Sequence, residues 1–576
     1  MPRPGGDPAL RRAAGARPGR LGSGRRSSRG GGVGRLDKRF VALLVVAAAP
    51  PAVEGIVLDV FGFRAADGLA PQVSAVWPYD TYHDLRWLFV YHDSWSTFAI
   101  GLVGLVLFRA SLTTALVLLA WPRQVPRPSL RWLGGRTLAL TAVIVVVVSP
   151  WAALSIAASV VALSWLLLAS LLPLFLLAPF LQRAAVVGTW WRGLPSIELV
   201  GWSLLNIVVL TVSGALVWSV PIGWTAPVAA IAGAINGLLW QRTVFSAVLP
   251  RRPVHWARVP AAPLAILLAF IVPVVVQPAL AALPGRSGKP PAIALLDRPL
   301  PPTVRHAVIF VAGNGSVYDG QPPVDPNVQW FSYRGLDAQG KSLPFGARDT
   351  FRSIESSVAL LNTQVELLHR RTGRPVAVVG QSEGAIVART YLAARPHSPV
   401  DLLAMFSPLI NAGRSYYPPP GVSGWGVAAG WELRAIFGLA DVIAMSGIGP
   451  EEPFVRSILD NAPFYRNDLM CPVPGVRIVA FLPTTTATEA PPGKYAGVPV
   501  FEMPAVHGGL LTQPVIQERL LNFLEGAPVS KSESDYTLLQ DVAAAWQAPP
   551  LAVGINPVWR GERLPDPAFT GRVCQG

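Results

Sequence analysis

The C-terminal half of the chain holds a serine in a setting that can turn its hydroxyl into a nucleophile. Residues 380–384 are Gly-Gln-Ser-Glu-Gly, directly after the apolar run 375–380 and before a helical run to about residue 395. Glycines on both sides of Ser382 permit a sharp, strained turn between a strand and a helix. Such a turn lifts the serine above the strand ends, at the positive end of the helix. The spacing therefore predicts nucleophilic attack by Ser382.

A serine hydroxyl is a weak nucleophile at neutral pH and needs a general base. Of the 7 histidines, only His397 and His507 follow Ser382 in the chain. His397 lies in Arg-Pro-His after the expected helix, where we expect a solvated loop. His507 lies between a predicted strand over 498–503 and a predicted helix over 513–524. We therefore expect His507 to accept the proton of Ser382 and to return it later.

The elements around these residues alternate between apolar strands and helices. Strands are predicted at 304–311, 328–333, 375–380, 400–406, 476–482 and 498–503. A long amphipathic run over 350–371 predicts a helix, and another follows Ser382. This alternation is typical of a mostly parallel sheet with helices on both faces.

The elbow Gly-Gln-Ser-Glu-Gly-Ala resembles that of the α/β-hydrolase superfamily, and is similar to cutinase-like and related lipase or esterase members. The resemblance covers roughly 300–525. It implies that His507 follows the last core strand as the general base. It also implies an oxyanion hole made by the backbone N–H of Glu383 and a donor from the turn Gly313-Asn314-Gly315-Ser316, where we single out Asn314. It implies no metal or organic cofactor.

The resemblance leaves open which carboxylate is the acid of the serine-histidine-acid triad. The family places it in the loop after the penultimate strand, and Glu489 is the only carboxylate of that loop here. A glutamate can orient the histidine. Asp460 or Asp441 could instead reach in from the preceding segment, or the triad could be incomplete.

Two further features of the C-terminal half can each be interpreted in two ways. The insertion 407–474 is too long for a simple connection and is rich in aromatic residues and proline. It is either a lid over Ser382 or a second packed subdomain without ligand contact. Cys471 and Cys574 either form a disulfide that pins the Pro-rich tail in an oxidising compartment or remain two free thiols.

The N-terminal half has the composition of a membrane domain. The 576 residues are 51% hydrophobic and 14% charged, against about 25% charged in ordinary soluble proteins. Residues 1–283 hold 24 Lys and Arg but only 9 Asp and Glu, whereas residues 284–576 hold 24 of each. The basic residues occur in short runs between apolar stretches, which indicates membrane topology rather than nucleic-acid binding.

Seven membrane spans are predicted from runs of about 20 apolar residues. They lie near 40–62, 97–121, 137–156, 158–181, 197–219, 222–240 and 261–283. The third and fourth are divided at Ser149-Pro150-Trp151. A cleaved signal peptide is the alternative for the first span. Alternate connections are basic, which places the N-terminus in the cytoplasm and the C-terminal half outside it.

Polar residues within this half allow two interpretations. The aromatic run from Tyr79 to Trp95 suits a membrane-surface belt, while its two His-Asp pairs, at 83–84 and 92–93, could instead bind a metal or contact the hydrolase domain. Arg109 in the second span either marks a polar interior site or extends its charge to the membrane surface.

The sequence thus predicts a basic cytoplasmic leader at 1–39, an all-α polytopic membrane domain at 40–283 and a linker at 284–303. A C-terminal α/β-hydrolase domain follows at 304–525, with a Pro-rich extension at 526–576. The expected function is cleavage of an ester or related acyl substrate, either a small molecule or a lipid, through an acyl-enzyme on Ser382. Alternatives are acyl transfer to an envelope acceptor, and an inactive hydrolase-fold binding module on a membrane transport domain.

Overall fold

The structure is a computed structural model of the chain. It describes residues 37–61, 64–90, 94–160, 165–249, 259–269, 293–408, 427–444, 447, 449, 451–461, 468–483, 498–503, 508–529, 533–534 and 545–546. Three of the predicted site residues, Glu489, His507 and Cys574, lie outside the described residues.

The N-terminal half is helical throughout its described part. Its helices are α1 (Lys38–Phe61), a 3-10 helix (Arg64–Ser74), α2 (Tyr79–Val90), α3 (Trp95–Ala120), α4 (Leu130–Val160), α5 (Trp165–Ala184), α6 (Ile197–Ser219), α7 (Thr225–Val248) and α8 (261–269). Among the described residues, four helical segments are long and apolar enough to cross a membrane: Lys38–Phe61, Trp95–Ala120, Leu130–Ser155 and Ile197–Ser219. The N-terminal half therefore fits a multi-pass membrane domain, and the count of seven spans stays a prediction.

The predicted division at Ser149-Pro150-Trp151 is wrong, because α4 continues through Pro150 as far as Val160. A helix of 31 residues is about 46 Å long at 1.5 Å per residue, which exceeds the roughly 30 Å of a hydrocarbon core. Proline removes a single backbone donor, and neighbouring helices can compensate for it in a membrane bundle. The next described helix, α5, begins at Trp165.

Helices α1 and α7 approach each other closely because glycines lie at their contact. A Cβ at Gly233 would lie 2.5 Å from the carbonyl oxygen of Ala47, and one at Gly55 would lie 3.0 Å from Cα of Ala226. Small residues of this kind allow the backbones of membrane helices to come together.

Basic residues collect at one end of the helical bundle, which we call the basic face and define by Arg39, Arg123, Arg136 and Arg183. Arg123 pairs with Asp37 at the start of α1, and Arg39 donates to the carbonyl of Leu118 near the end of α3. Arg136 donates from Nε to the carbonyl of Ala184 over 2.9 Å. The start of α1, the end of α3, the start of α4 and the end of α5 therefore lie on the same side.

Tyr79 and Tyr82, which belong to the predicted membrane-surface belt from Tyr79 to Trp95, lie inside the helical bundle, whereas Trp95 is exposed. Tyr79 and Tyr82 are fully buried, and the 3-10 helix contacts α1, α6 and α7 while α2 contacts α4. The nitrogen of the Trp240 indole donates to the carbonyl of Ser74 over 3.0 Å, and Asn236 donates to the carbonyl of Pro71 over 2.7 Å. Residues 64–90 therefore form a helical hairpin inside the bundle. Neighbouring helices, rather than lipid headgroups, contact its polar and aromatic residues.

The C-terminal half contains one parallel sheet. Its described strands are β1 (Ala307–Val311), β2 (Val328–Trp330), β3 (Val376–Gln381), β4 (Val400–Phe406), β5 (Arg477–Pro483), β6 (Val500–Met503) and β7 (Glu533–Ser534). They lie in the order β2-β1-β3-β4-β5-β6-β7, and all neighbours are parallel. The predicted parallel sheet is thus confirmed, and it extends past residue 525 by the two residues of β7.

Helices cover both faces of the sheet, as the alternating pattern predicts. They are α9 (Ala294–Asp297), α10 (Ile354–Thr372), α11 (Glu383–Ala394), α13 (Pro453–Asp460) and α14 (Pro514–Leu524). Helix α12 (Val427–Ala444), between α11 and α13 in the chain, packs against the helical domain instead. Residues of α10, α11 and α13 share one apolar cluster with the sheet, and residues of α9 and α14 share another on the opposite face. The bounds of the predicted C-terminal strands and helices agree within four residues. The largest differences are that α10 begins four residues later than predicted, β1 begins three residues later and β2 ends three residues earlier.

Candidate functional site

The chain turns sharply at Ser382, between β3 and α11. The described residues include two non-glycine positions with positive φ, Ser382 at 54° and Ser407 at 45°. A positive φ strains an L-residue, and such strain persists only where surrounding contacts impose it. Ser382 is partly exposed whereas Ser407 is buried, so Ser382 is the accessible serine of the two.

The glycines beside Ser382 are required by close backbone contacts. A Cβ at Gly380 would lie 2.6 Å from the carbonyl oxygen of Gly384, and one at Gly384 would lie 2.1 Å from the carbonyl oxygen of Val311. Either side chain would force β1, β3 and α11 apart. The sequence pattern of the elbow therefore has a direct steric cause.

Ser382 lies where the strand order reverses. The chain passes from β1 to β2 on one side of the sheet and continues from β3 to β4 on the other, so β1 and β3 are neighbours at a switch point. In open parallel sheets, ligands bind in the crevice at the carboxyl ends of the strands at such a point. A Cβ placed on Gly313, just after β1, would lie 2.9 Å from Cβ of Ser382. The turn that contains Asn314 therefore lies against the serine.

Thr350 holds this turn in place. The backbone N–H of Gly315 donates to the hydroxyl oxygen of Thr350 over 2.9 Å, and that hydroxyl lies 3.3 Å from Oδ1 of Asn314. Thr350 is fully buried. No sequence pattern singles out Thr350, because a lone threonine before a helix is an ordinary feature.

The end of β4 is bonded to the elbow. The backbone N–H of Ser382 donates to the carbonyl of Phe406 over 2.8 Å, and the N–H of Ser407 donates to the carbonyl of Phe481 over 2.9 Å. The sheet therefore continues its ladder through both strained serines. The insertion that starts at residue 407 leaves the sheet beside Ser382.

The residue after His507 lies near the elbow. The side-chain amide of Gln381 donates to the carbonyl of Gly508 over 3.3 Å. The residue before Ser382 and the residue after His507 are thus neighbours, although His507 itself lies outside the described residues. Its role stays a prediction, as does that of Glu489, whose loop begins after β5 ends at Pro483.

Two other titratable candidates, His397 and Asp460, are exposed to solvent. His397 is exposed in a turn after α11, as the sequence predicts. Asp460 is exposed at the end of α13, and its carboxylate lies 3.7 Å from the guanidinium of Arg456. Of Asp441 the structure gives only its backbone, within α12.

Glu383, directly after Ser382, has a buried side chain. Burial raises the pKa of its carboxyl well above the ordinary value, and Arg352 opposes that shift. Burial therefore favours the uncharged acid. The expected contribution of Glu383 to an oxyanion hole uses its backbone N–H, at the first turn of α11, and does not depend on this side chain.

The helical domain contains a second polar cluster, formed by Glu54, Asp80, His83, Asp84 and Arg109. His83 lies 3.0 Å from Glu54 through Nε2 and 2.9 Å from Asp84 through Nδ1. Arg109 is fully buried, contacts both oxygens of Asp84 and lies 3.7 Å from Asp80. Arg109 is therefore an interior residue, one of the two possibilities left open above. Its partners on the hairpin could not be found from the sequence, because 25 residues separate it from Asp84.

Metal binding by the first His-Asp pair gains no support. Among the residues that the structure describes, no group of three or more His, Cys, Asp and Glu could hold a metal ion. His92 and Asp93 lie outside those residues.

Cys471 lies in the turn before β5 and is buried, and its thiol is not free. Cys574 lies outside the described residues, so the pairing of the two cysteines stays a prediction.

The C-terminal half contacts the helical domain at two places. Helix α12 of the insertion contacts α2, α3 and α4, and the hydroxyl of Ser149 donates to the carboxyl of Glu432. The second contact is made by Ala545 and Trp546, whose carbonyls accept from Gln72 and Arg86 respectively.

Comparison with known proteins does not assign the chain. No protein-family model matches it, and neither the curated proteins nor the solved structures include a significant match.

Proposed function

We propose that the protein is a membrane-anchored serine hydrolase that cleaves a carboxylic ester through an acyl-enzyme on Ser382. One observation carries the proposal. Ser382 holds a strained left-handed backbone conformation at a topological switch point, between β3 and the N-terminus of α11, against the turn after β1. Ser407 also has a positive φ but is buried, so it is the combination of strain, partial exposure and position at the switch point that distinguishes Ser382.

In the proposed reaction, Oγ of Ser382 attacks the ester carbonyl and forms a bond to its carbon. His507 takes the hydroxyl proton and then gives it to the departing alkoxide, so an alcohol leaves and an acyl-serine remains. Water then attacks the acyl-serine with His507 as base, which releases a carboxylic acid and restores Ser382. Glu489 is the proposed group that orients His507.

Backbone donors are proposed to stabilise the charge on the carbonyl oxygen in the tetrahedral states. They are the N–H of Glu383, in the first turn of α11, and the N–H of Asn314 in the turn beside Ser382. The bond from Gly315 to Thr350 supports this role, since it fixes the conformation of the turn.

The soluble half is proposed to lie outside the cytoplasm. Arg39, Arg123 and Arg136 lie on the basic face of the bundle. Positive charge favours the cytoplasmic side of a membrane. The contacts with the soluble half involve Ser149 of α4 and Thr211 of α6. Both residues lie well past the starts of their helices, and those starts lie near the basic face. The two features together support an extracytoplasmic active site.

The proposal is tested with a membrane-impermeant fluorophosphonate, which reacts with activated serines. We expect intact cells, or spheroplasts where an outer barrier exists, to be labelled in the wild type and unlabelled in Ser382→Ala. Ser407→Ala is the matched control, because Ser407 shares the positive φ and lies on the next strand but is buried. Labelling only after cell lysis would support the hydrolase but place Ser382 on the cytoplasmic side. Absence of labelling in folded protein would contradict the hydrolase and favour a binding module.

A further inference from the structure

The insertion joins the carboxyl edge of the sheet to the membrane helices. Ala429 and Leu433 of α12 are buried, and they belong to the same apolar cluster as Val148, Trp151 and Ala152 of α4. The hydrogen bond from Ser149 to Glu432 lies in the middle of this contact. Helix α12 therefore packs on residues 148–152 of α4, past the middle of the helix and away from Arg136.

The chain after α12 leads back to the candidate site. A Cβ at Gly447, three residues after the end of α12, would lie 2.3 Å from the ring of Phe351. Phe351 follows Thr350, which holds the turn that lies against Ser382. The C-terminal end of α12 is therefore connected to the residues that support Ser382.

Large apolar side chains of α12 remain exposed next to this contact. Trp431 is 55% exposed and Leu439 is 58% exposed. Exposed apolar side chains of this size beside membrane helices favour contact with lipid or with an apolar ligand.

From this placement we propose that the substrate is a long-chain lipid ester that reaches Ser382 from the bilayer along α12, an inference that rests on the proposed function. An acyl chain that stays against α12 and α4 remains in an apolar environment during its approach. A fully water-exposed site would instead require the chain to be transferred to water, at a free-energy cost that grows with each methylene group. The contact between α12 and α4 positions the entrance and takes no part in the bond-making steps.

The test uses the full chain in phosphatidylcholine nanodiscs and two fluorophosphonates with the same reactive group. One is a two-chain lipid that carries the reactive group at glycerol level and cannot leave the bilayer, and the other is a charged, water-soluble compound. We expect the lipid probe to label Ser382, with Ser382→Ala as the blank. Labelling by the soluble probe alone would overturn the bilayer route and leave the hydrolase. Labelling by neither probe, in protein shown to be folded by its thermal transition, would overturn both.

A matched pair of substitutions tests the role of α12. Ala429 is fully buried against the membrane helices, whereas Ala435, on the same helix, is exposed. We expect Ala429→Leu to slow the lipid probe by about 10-fold or more through a displaced entrance, and to leave the soluble probe within about 2-fold. Ala435→Leu should change neither rate. Equal slowing of both probes by Ala429→Leu, or no slowing of the lipid probe, would remove α12 from the route.

Discussion

The backbone N–H of Ser382 donates a 2.8 Å hydrogen bond to the carbonyl of Phe406, the last residue of the neighbouring strand. This bond extends the parallel ladder between β3 and β4 by one residue, into a conformation with positive φ. The strained serine is thus held by the sheet on one side and by Gly313 on the other. Rigid support of this kind keeps a nucleophile in place without help from the substrate.

Gly384→Ala tests whether the elbow needs its second glycine. The new Cβ would lie 2.1 Å from the carbonyl oxygen of Val311, so we expect loss of the folded C-terminal half or a destabilisation of about 3 kcal/mol or more. Gly438→Ala is the control, since Gly438 is also helical and a Cβ there meets nothing within 4 Å. Its substitution should be neutral or stabilising by up to about 1 kcal/mol. Thermal unfolding in detergent measures both, and similar effects at the two sites would contradict the steric account.

Glu383→Gln tests the buried carboxyl beside Ser382. Because burial raises its pKa in the folded state, the folded state holds this proton more tightly than the unfolded state. The free energy of unfolding should therefore be highest below the ordinary pKa and fall as pH rises toward the raised value, by at most about 1.4 kcal/mol per pH unit. Glutamine cannot ionise, so the variant should lose that part of the decline.

The matched control for Glu383→Gln is Glu518→Gln, at an exposed position of α14. Its unfolding profile should follow the wild type over the whole pH range. The comparison uses thermal unfolding from about pH 4 to pH 9, which spans the carboxyl range and its upward shift. A Glu383→Gln profile parallel to that of the wild type would show that Glu383 is ionised without cost in the folded state.

The sheet and the elbow could be predicted because their causes are local. The spacing and number of apolar residues indicate β1, β3, β4 and β5, and the glycines around Ser382 indicate a strained turn. Three contacts could not be predicted, since they depend on which loops meet at the sheet edge. They are those of Thr350 with Gly315, of Phe406 with Ser382 and of Gly508 with Gln381. That meeting is a property of the tertiary fold and leaves no pattern in a single sequence.

The helical half was harder to predict for a related reason. Hydropathy locates apolar helices, but the run from Tyr79 to Trp95 has the same composition whether it lies at a membrane surface or inside a bundle. The burial of Tyr79 and Tyr82 accompanies contacts of the hairpin with residues far along the chain, such as that of Ser74 with Trp240 and that of Asp84 with Arg109. Proline likewise suggested a break at Pro150, where the helix in fact continues.

Arg109→Met tests the buried ion pair of the helical domain. Methionine preserves much of the volume but leaves Asp84 and Asp80 without their cation, and breaking a buried pair costs about 3–5 kcal/mol. Arg123→Met removes the exposed partner of Asp37 and should cost at most about 1 kcal/mol. The thermal transition in detergent micelles is the measurement. Adding Asp84→Asn to Arg109→Met should restore part of the loss, and additive destabilisation would argue against a direct pair.

Trp546→Ala tests the anchoring of the C-terminal extension in the helical domain. The ring lies 6.3 Å from that of Tyr79 and 6.0 Å from that of Phe175, and its Nε1 donates to the hydroxyl of Thr211 over 2.9 Å. Removing a buried tryptophan costs about 3–5 kcal/mol where the cavity cannot collapse. We expect a lower thermal transition and faster protease release of a C-terminal epitope tag.

Two further variants separate the ring contacts of Trp546 from its hydrogen bond. Trp546→Phe keeps an aromatic ring but loses the donor to Thr211, so its cost should be near 1 kcal/mol, well below that of alanine. Trp431→Ala removes a tryptophan that is 55% exposed and should leave tag release unchanged. If all three variants released the tag at the wild-type rate, the extension would be held by Arg86 and Gln72 through the backbone carbonyls alone. Graded release, with alanine fastest, would show that the ring of Trp546 holds the two halves of the chain together.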